Sequence, residues 1–149
     1  GTGDKVYEDW FKGLQWRFPQ KCSVNIRFSE ALAQKIYASA TIFLMPSDFE
    51  PCGIGQLVAM RYGTVPVVRE TGGLKDTVQP FDKYSRKGTG FLFHNYNAHE
   101  MMYALRHALK HRQDIRTWTK LFANCMKADF SWKKSAKEYD ALYKKLVNG

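Results

Sequence analysis

Apolar and polar positions along the 149-residue chain switch between a helical and an alternating period, and the order of the switches predicts the fold. Val6, Trp10 and Leu14 recur at helical spacing with Phe11 and Phe18 beside them; Asp4 is placed to cap this helix and Pro19 to end it. Ser23 to Phe28 alternates through Val24 and Ile26, which predicts a short strand. Ser29 and Glu30 open a second helix through Ala31, Leu32, Ile36 and Ala40. Thr41 to Met45 is an unbroken apolar run, as expected of a parallel strand covered on both faces. A helical pattern from Gly53 to Tyr62 comes next, then a strand from Thr64 to Val68, a turn at Thr71-Gly72-Gly73-Leu74, and a short strand from Gly90 to His94.

The alternation β-α-β-α-β specifies an α/β protein: a Rossmann-like parallel sheet sandwiched by crossover helices. Beyond His94 the pattern is wholly helical. Met101, Leu105, Ala108 and Leu109 form one stripe, and Ile115, Trp118, Phe122 and Cys125 a second. Trp132, Ala136, Tyr139, Tyr143 and Leu146 form a third, with Ser131 as its N-cap. We read these stripes as core-facing or domain-facing surfaces. The tryptophans Trp10, Trp16, Trp118 and Trp132 are assigned to packing rather than to stacking on sugar rings. Gln79 to Gly88, rich in charge, reads as an exposed, mobile loop. A Rossmann-like sheet ordinarily opens with a strand and a glycine-rich turn. Gly1-Thr2-Gly3-Asp4 has the character of a turn leaving a strand, so residues 1–149 are expected to be one domain lacking its first strand-helix unit or more.

Composition narrows the function. A hydrophobic fraction of 44% and an aromatic fraction of 15% are those of a globular domain. No apolar run approaches the roughly 20 residues that span a bilayer, so no membrane association is expected. Cys22, Cys52 and Cys125 have neither disulfide-framework nor zinc spacing, which suits a reducing compartment. The net charge of +9 would suit an anionic partner, but the basic residues are scattered and no nucleic-acid-binding motif accompanies them. His107 and His111 stand four apart on a helix, a spacing zinc can use. They lack a third ligand and are read as a surface pair, so no metal is expected.

Chemistry concentrates in Ser47-Asp48-Phe49-Glu50-Pro51-Cys52-Gly53-Ile54-Gly55-Gln56, between a buried strand and a helix. Ligands of open α/β sheets bind beyond the carboxyl ends of the strands. A helix start offers unpaired N–H groups to an anion, and Gly53 and Gly55 let a ligand approach the backbone. Glu50 would repel a phosphate, but suits hydroxyls beside one. Together these residues suggest a sugar-nucleotide site.

The segments from Pro46 to Leu57, Met60 to Arg69 and Thr71 to Val78 closely resemble bacterial glycogen synthases and plant starch synthases, with Asp129-Phe130-Ser131-Trp132 also alike. These are family 5 retaining glycosyltransferases of the two-domain GT-B fold. The resemblance is to their C-terminal, nucleotide-binding domain and covers nearly the whole chain. It implies that the parent enzyme transfers glucose from ADP-glucose to the non-reducing end of an α-1,4-glucan, in bacterial cytoplasm or plastid stroma. It also implies no cofactor or metal, and an N-terminal GT-B domain of the same enzyme as acceptor surface.

By position, the resemblance makes Glu50 the catalytic-site acid against the donor glucose hydroxyls. Cys52, Gly53, Ile54 and Gly55 fall near the sugar and distal phosphate, and Thr71, Gly72 and Gly73 form a second glycine-rich turn near the phosphates. Phe28 stands where relatives often stack a tyrosine on adenine. The chain departs from the pattern in two places. Val58 replaces a second glutamate of the wider GT-B group, and Gly55 stands where relatives often have threonine. The Arg and Lys that neutralise the diphosphate lie upstream of Gly1 in relatives, so this chain alone is expected to bind donor without being a competent enzyme. The alternatives are another GT-B transferase using UDP-glucose and a non-catalytic glucan-binding or scaffold module.

Overall fold

The computed structural model describes residues 1–148. The chain divides into two compact units, Gly1–Ile36 and Tyr37–Gly149. The first contains α1 (Lys5–Arg17), an extended connection, and the start of α2 (Glu30–Ser39). Asp4 takes the extended N-cap conformation ahead of α1, and the helix ends before Pro19. Ser29 Oγ accepts a hydrogen bond from Leu32 N at 3.3 Å at the start of α2.

Ser23–Phe28 is not a strand. Its burial still alternates, with Cys22, Val24 and Ile26 half-buried between exposed neighbours. Alternation reports which side chains turn inward; a strand also needs a ladder partner, and among the described residues this segment has none. It is instead held locally, by Val24 N donating to the Gln15 side chain and by Gly1 N donating to Asn25 O at 3.2 Å.

The second unit is built on a parallel sheet of β1 (Ile42–Met45), β2 (Val65–Arg69) and β3 (Phe91–Phe93), in that spatial order. The helices α3 (Gly55–Arg61) and α4 (Gly72–Thr77) make the crossovers. β2 is central, and Val65 to Val68 are buried as a parallel interior strand requires. A proline in such a strand removes a ladder donor. Here Val65 N bonds Thr41 O on the β1 side, so the donor missing at Pro66 faces β3, whose ladder begins only at Val67.

Three further helices complete the chain: α5 (Ala98–Arg112), α6 (Ile115–Lys127) and α7 (Trp132–Asn148). The core joins Val67, Val68 and Phe91 of the sheet to Ala104 and Ala108 of α5 and to Trp118 and Leu121 of α6. Burial in this core pushes the Cys125 thiol up to about 12, so it is inert packing. Asp114 caps α6, and the bonds from Thr117 and Arg116 hold its carboxyl below the usual carboxylate range.

The stripes of α5 and α6 are core-facing in part, with Ala108, Trp118 and Cys125 buried but Leu109, Ile115 and Phe122 exposed, and those of α1 and α7 are largely exposed. Trp10, Trp16 and Trp132 are 63%, 84% and 85% exposed, and only Trp118 of the four tryptophans is buried. Helical spacing shows which face is apolar, not what covers it. The segment from Gln79 to Gly88 is exposed but tethered rather than loose. Phe81 is buried, Asp82 N bonds Lys87 O at 2.9 Å, and Asn124 Nδ2 donates to Arg86 O and Gly88 O at 2.9 Å. Thr71-Gly72-Gly73-Leu74 is the start of α4 rather than a simple turn.

Within the second unit, one buried hydroxyl ties the residues from Tyr37 to Ala40 to the start of β2. Thr64 Oγ1 lies 2.6 Å from Tyr37 O and 2.7 Å from Ala40 O, at the end of α2. Thr64→Val keeps the shape and removes the hydroxyl donor between those carbonyls. It should cost about 1–3 kcal/mol, read as a lower urea midpoint with an unchanged m-value.

Candidate functional site

Parallel strands align their carboxyl ends, so the segments after β1, β2 and β3 emerge at one edge of the sheet. The first, Pro46 to Ile54, carries Glu50. The second, Glu70 and Thr71, leads into α4. The third, His94 to Asn97, leads into α5.

The first two are interlocked through their backbones. Gly73 N donates to Glu50 O at 3.1 Å. A Cβ on Gly72 would stand 2.1 Å from Glu50 O, and one on Gly73 would stand 2.0 Å from Cys52 O. Gly72 also has φ +43°, in the left-handed region. Only residues without side chains allow this approach. The structure thus brings Glu50, Cys52, Gly53, Ile54 and Gly55 together with Thr71, Gly72 and Gly73.

Glu50 is half-buried, and among the described residues its carboxylate enters no hydrogen bond or ion pair. Phe49 and Ile54, on either side of it in sequence, are 71% and 69% exposed. Cys52 is an exposed free thiol. Gly53 takes φ +70° at the bend into α3. Gly55 opens α3 against the Tyr37 hydroxyl and the Phe43 ring, each 3.2 Å from where a Cβ would be. The first intrahelical donor is Val58 N, to Ile54 O at 3.0 Å. The N–H groups of Gly55, Gln56 and Leu57 therefore have no acceptor within α3. Phe28 belongs to the other unit, on the connection before α2, with its ring 92% exposed.

Two residues that organise this edge were not singled out from the sequence. Gln56 is fully buried. Its Nε2 donates to Gly53 O at 2.9 Å and Thr77 Oγ1 at 3.0 Å, with Cys52 O at 3.3 Å. Thr77 Oγ1 in turn donates to Gly73 O at 2.6 Å. One amide thus ties both loops, while its Oε1 is buried without a partner among the described residues. A signal existed: Gln56 shares the buried phase of α3 with Ala59 and Met60, three and four residues on.

Arg69, the last residue of β2, reaches both outer loops. Its Nη1 donates to Asp48 O and lies 3.4 Å from Ser47 O, and its Nε donates to His94 O at 3.3 Å. Its guanidinium lies 5.3 Å from the Tyr96 ring centroid. Beside it, Glu70 pairs with Lys75 at 3.0 Å and lies 3.5 Å from His94 Nδ1. The Lys75 hydrogen bond holds the Glu70 carboxyl below its usual range. A charged side chain ending an otherwise apolar strand was the available signal for Arg69.

Chemically, this edge combines a fixed backbone cradle, first-turn N–H groups and one unpaired carboxylate. That set can accept hydrogen bonds from hydroxyls at Glu50 and donate them to an anion from the backbone.

Residues 4–121 match the family described as glycosyl transferases group 1. The chain is 56% identical over 145 residues to a glycogen synthase of Petrotoga mobilis, covering 97% of this chain and 30% of the relative. It is 54% identical over 148 residues to a glycogen synthase of Clostridioides difficile, covering 99% of this chain and 31% of the relative. Among solved structures it resembles the catalytic domain of starch synthase IV from Arabidopsis thaliana bound to ADP and acarbose. The TM-score there is 0.80 at 37% identity, over 95% of this chain and 30% of that one. The chain spans about 30% of the length of the curated relatives it matches.

Gly73→Ala tests the interlock. A methyl placed 2.0 Å from Cys52 O must push the two loops apart. The variant should fold with a loss of about 1–3 kcal/mol, measured by denaturant titration. Backbone amide shifts should change at Glu50 to Gly53 as well as around residue 73.

Proposed function

The chain belongs to the glycosyl transferases group 1 family, and from that premise we propose that it is the donor-binding part of a retaining glucosyltransferase. The Rossmann-like parallel sheet expected from the sequence agrees with the likeness to the starch synthase catalytic domain, a GT-B enzyme. The proposed reaction moves glucose from ADP-glucose to the non-reducing end of an α-1,4-glucan, in bacterial cytoplasm or plastid stroma. The observation that carries this reading is the interlock of the Glu50 loop with Gly72-Gly73 around an unpaired carboxylate.

Glu50 accepts hydrogen bonds from the donor glucose hydroxyls and fixes the ring. The loop from Cys52 to Gly55 and the turn from Thr71 to Gly73 approach the sugar and the diphosphate through their backbones, where bulkier residues would not fit. In a front-face transfer the bond from glucose C1 to the departing phosphate oxygen breaks, the acceptor hydroxyl oxygen bonds C1 on the same face, and its proton passes to that phosphate oxygen. Charge then grows on the diphosphate, and donors already aimed at it lower the barrier. No metal is needed in this scheme, because basic side chains and first-turn N–H groups meet that charge. Phe28 stacks on the base. The enzyme's own N-terminal domain supplies the acceptor surface, so the 149-residue chain alone binds donor without elongating glucan.

Calorimetric titration of the full-length enzyme with ADP, ADP-glucose and UDP-glucose tests this. ADP-glucose should bind in preference to UDP-glucose. Glu50→Ala should weaken ADP-glucose by about 1.5–3 kcal/mol, the worth of hydrogen bonds to a charged group, and leave ADP nearly unchanged. Equal weakening of both ligands would remove Glu50 from the sugar subsite. Glucan elongation by the 149-residue chain, freed of longer enzyme, would overturn the division of labour.

A further inference from the structure

A sizeable cavity lies away from the Glu50 loop. It encloses about 620 Å³ between the tethered segment before β3, the end of α5 and the start of α6. That volume lies within the roughly 300–1,000 Å³ of small-molecule sites. Helix α5 leaves the carboxyl end of β3 and runs back along the sheet for 15 residues, roughly 22 Å at 1.5 Å per residue. The cavity therefore sits at the opposite edge of the sheet from the interlocked loops.

Its inner wall is aromatic. Phe81 is buried and meets the His111 ring edge-on at 5.8 Å, while His107 and His111 lie 4.5 Å apart and both pack on Phe91. Burial is the main reason the His107 pKa lies below its usual value, with His111 and Lys110 adding to it, so the ring is neutral at pH 7. Neutral imidazole offers one donor and one acceptor. Tyr84 adds a ring that is 89% exposed at the mouth.

The rim is polar with balanced charge. Lys83, Lys110, Asp82 and Asp114 all line it, in a chain where 23 basic residues outnumber 14 acidic ones. Both carboxylates are already oriented, Asp82 by Ser85 N at 2.7 Å and Asp114 by Thr117 Oγ1 at 2.7 Å. A phosphate would meet as many carboxylates as ammonium groups there. A neutral ring with an apolar face and many hydroxyls meets aromatic surface on one side and donors and acceptors on the other.

We propose that this cavity is a second, non-catalytic binding site for a neutral pyranose chain, an α-glucan. The identity of the sugar rests on the function proposed above; the chemistry of the cavity does not. A polymer held here keeps its chain ends near the reacting edge, raising their effective concentration without any contact at the reaction centre. A short oligosaccharide gains nothing from it, because it cannot occupy both places at once.

The test uses the full-length enzyme with Tyr84→Ala and, separately, Gln113→Ala, both exposed cavity-lining residues. KM for glycogen should rise about 5- to 10-fold, as loss of a linked binding contact predicts. The kcat, the KM for maltotriose and the KM for ADP-glucose should stay unchanged. An unchanged glycogen KM, or an equal rise for maltotriose, overturns the proposal. If the wild type transfers no glucose from any donor, the functional reading fails. Titration with maltoheptaose, monitored by tyrosine and histidine ring NMR signals, then decides the site by itself. Shifts at His107 and His111 that are lost in Tyr84→Ala support it. Shifts produced by inorganic phosphate and not by maltoheptaose overturn it.

Discussion

The carboxyl edge of the sheet depends on the approach of two backbones. The segments after β1 and β2 meet where Gly73 N bonds Glu50 O, and where Gly72 and Gly73 leave room for the carbonyls of Glu50 and Cys52. A buried backbone group must be paired or it costs free energy. Here each segment supplies the other's partner, and the Gln56 amide bonds the carbonyls that the direct contact leaves over. Arg69 performs the corresponding service between β1 and β3, from the end of the strand that lies between them. The edge is thus held by polar groups, while the apolar core below it fixes the strands on which it rests.

This division of labour is a consequence of the parallel sheet. Its strands are short; β2 is buried along most of its length, whereas β1, expected to be covered on both faces, is half-buried throughout because it has a ladder partner on one side only among the described residues. Polar and charged side chains are concentrated in the connections that emerge together at one end. Those connections carry polar backbone that must be satisfied without regular structure, and Gln56, Thr77 and Arg69 satisfy it. The opposite edge has no such constraint and instead gathers an aromatic wall from Phe81, His107 and His111.

Much of this was legible in the chain. β1, β2 and β3, the crossover order, and the helices α5 and α6 can be read from period and apolar runs, although the depth of burial cannot: β1 is half-buried and Ile115 and Phe122 of α6 are exposed. The supposed strand at Ser23–Phe28 failed because alternation describes one chain, whereas a ladder requires two. The tryptophans of α1 and α7 failed for a related reason, since a stripe names a face without naming its cover. At the site, the loop residues could be grouped by their motif. That Gly72 and Gly73 serve the Glu50 loop could not, because close approach between distant segments leaves only two glycines in the sequence, the same trace as an ordinary turn. Gln56 hid in plain view, as polar residues near a helix start usually face water.

The interlock also constrains how such a chain can diverge. Lengthening the Glu50 loop by a residue would carry its carbonyl away from Gly73 N and strand both groups. Giving Gly72 or Gly73 a side chain would demand a compensating retreat at Glu50 or Cys52. Neither segment can drift alone, so viable descendants should change the two in concert or not at all. The more than 20 positions that separate the loops in sequence would then be inherited as if they were one site.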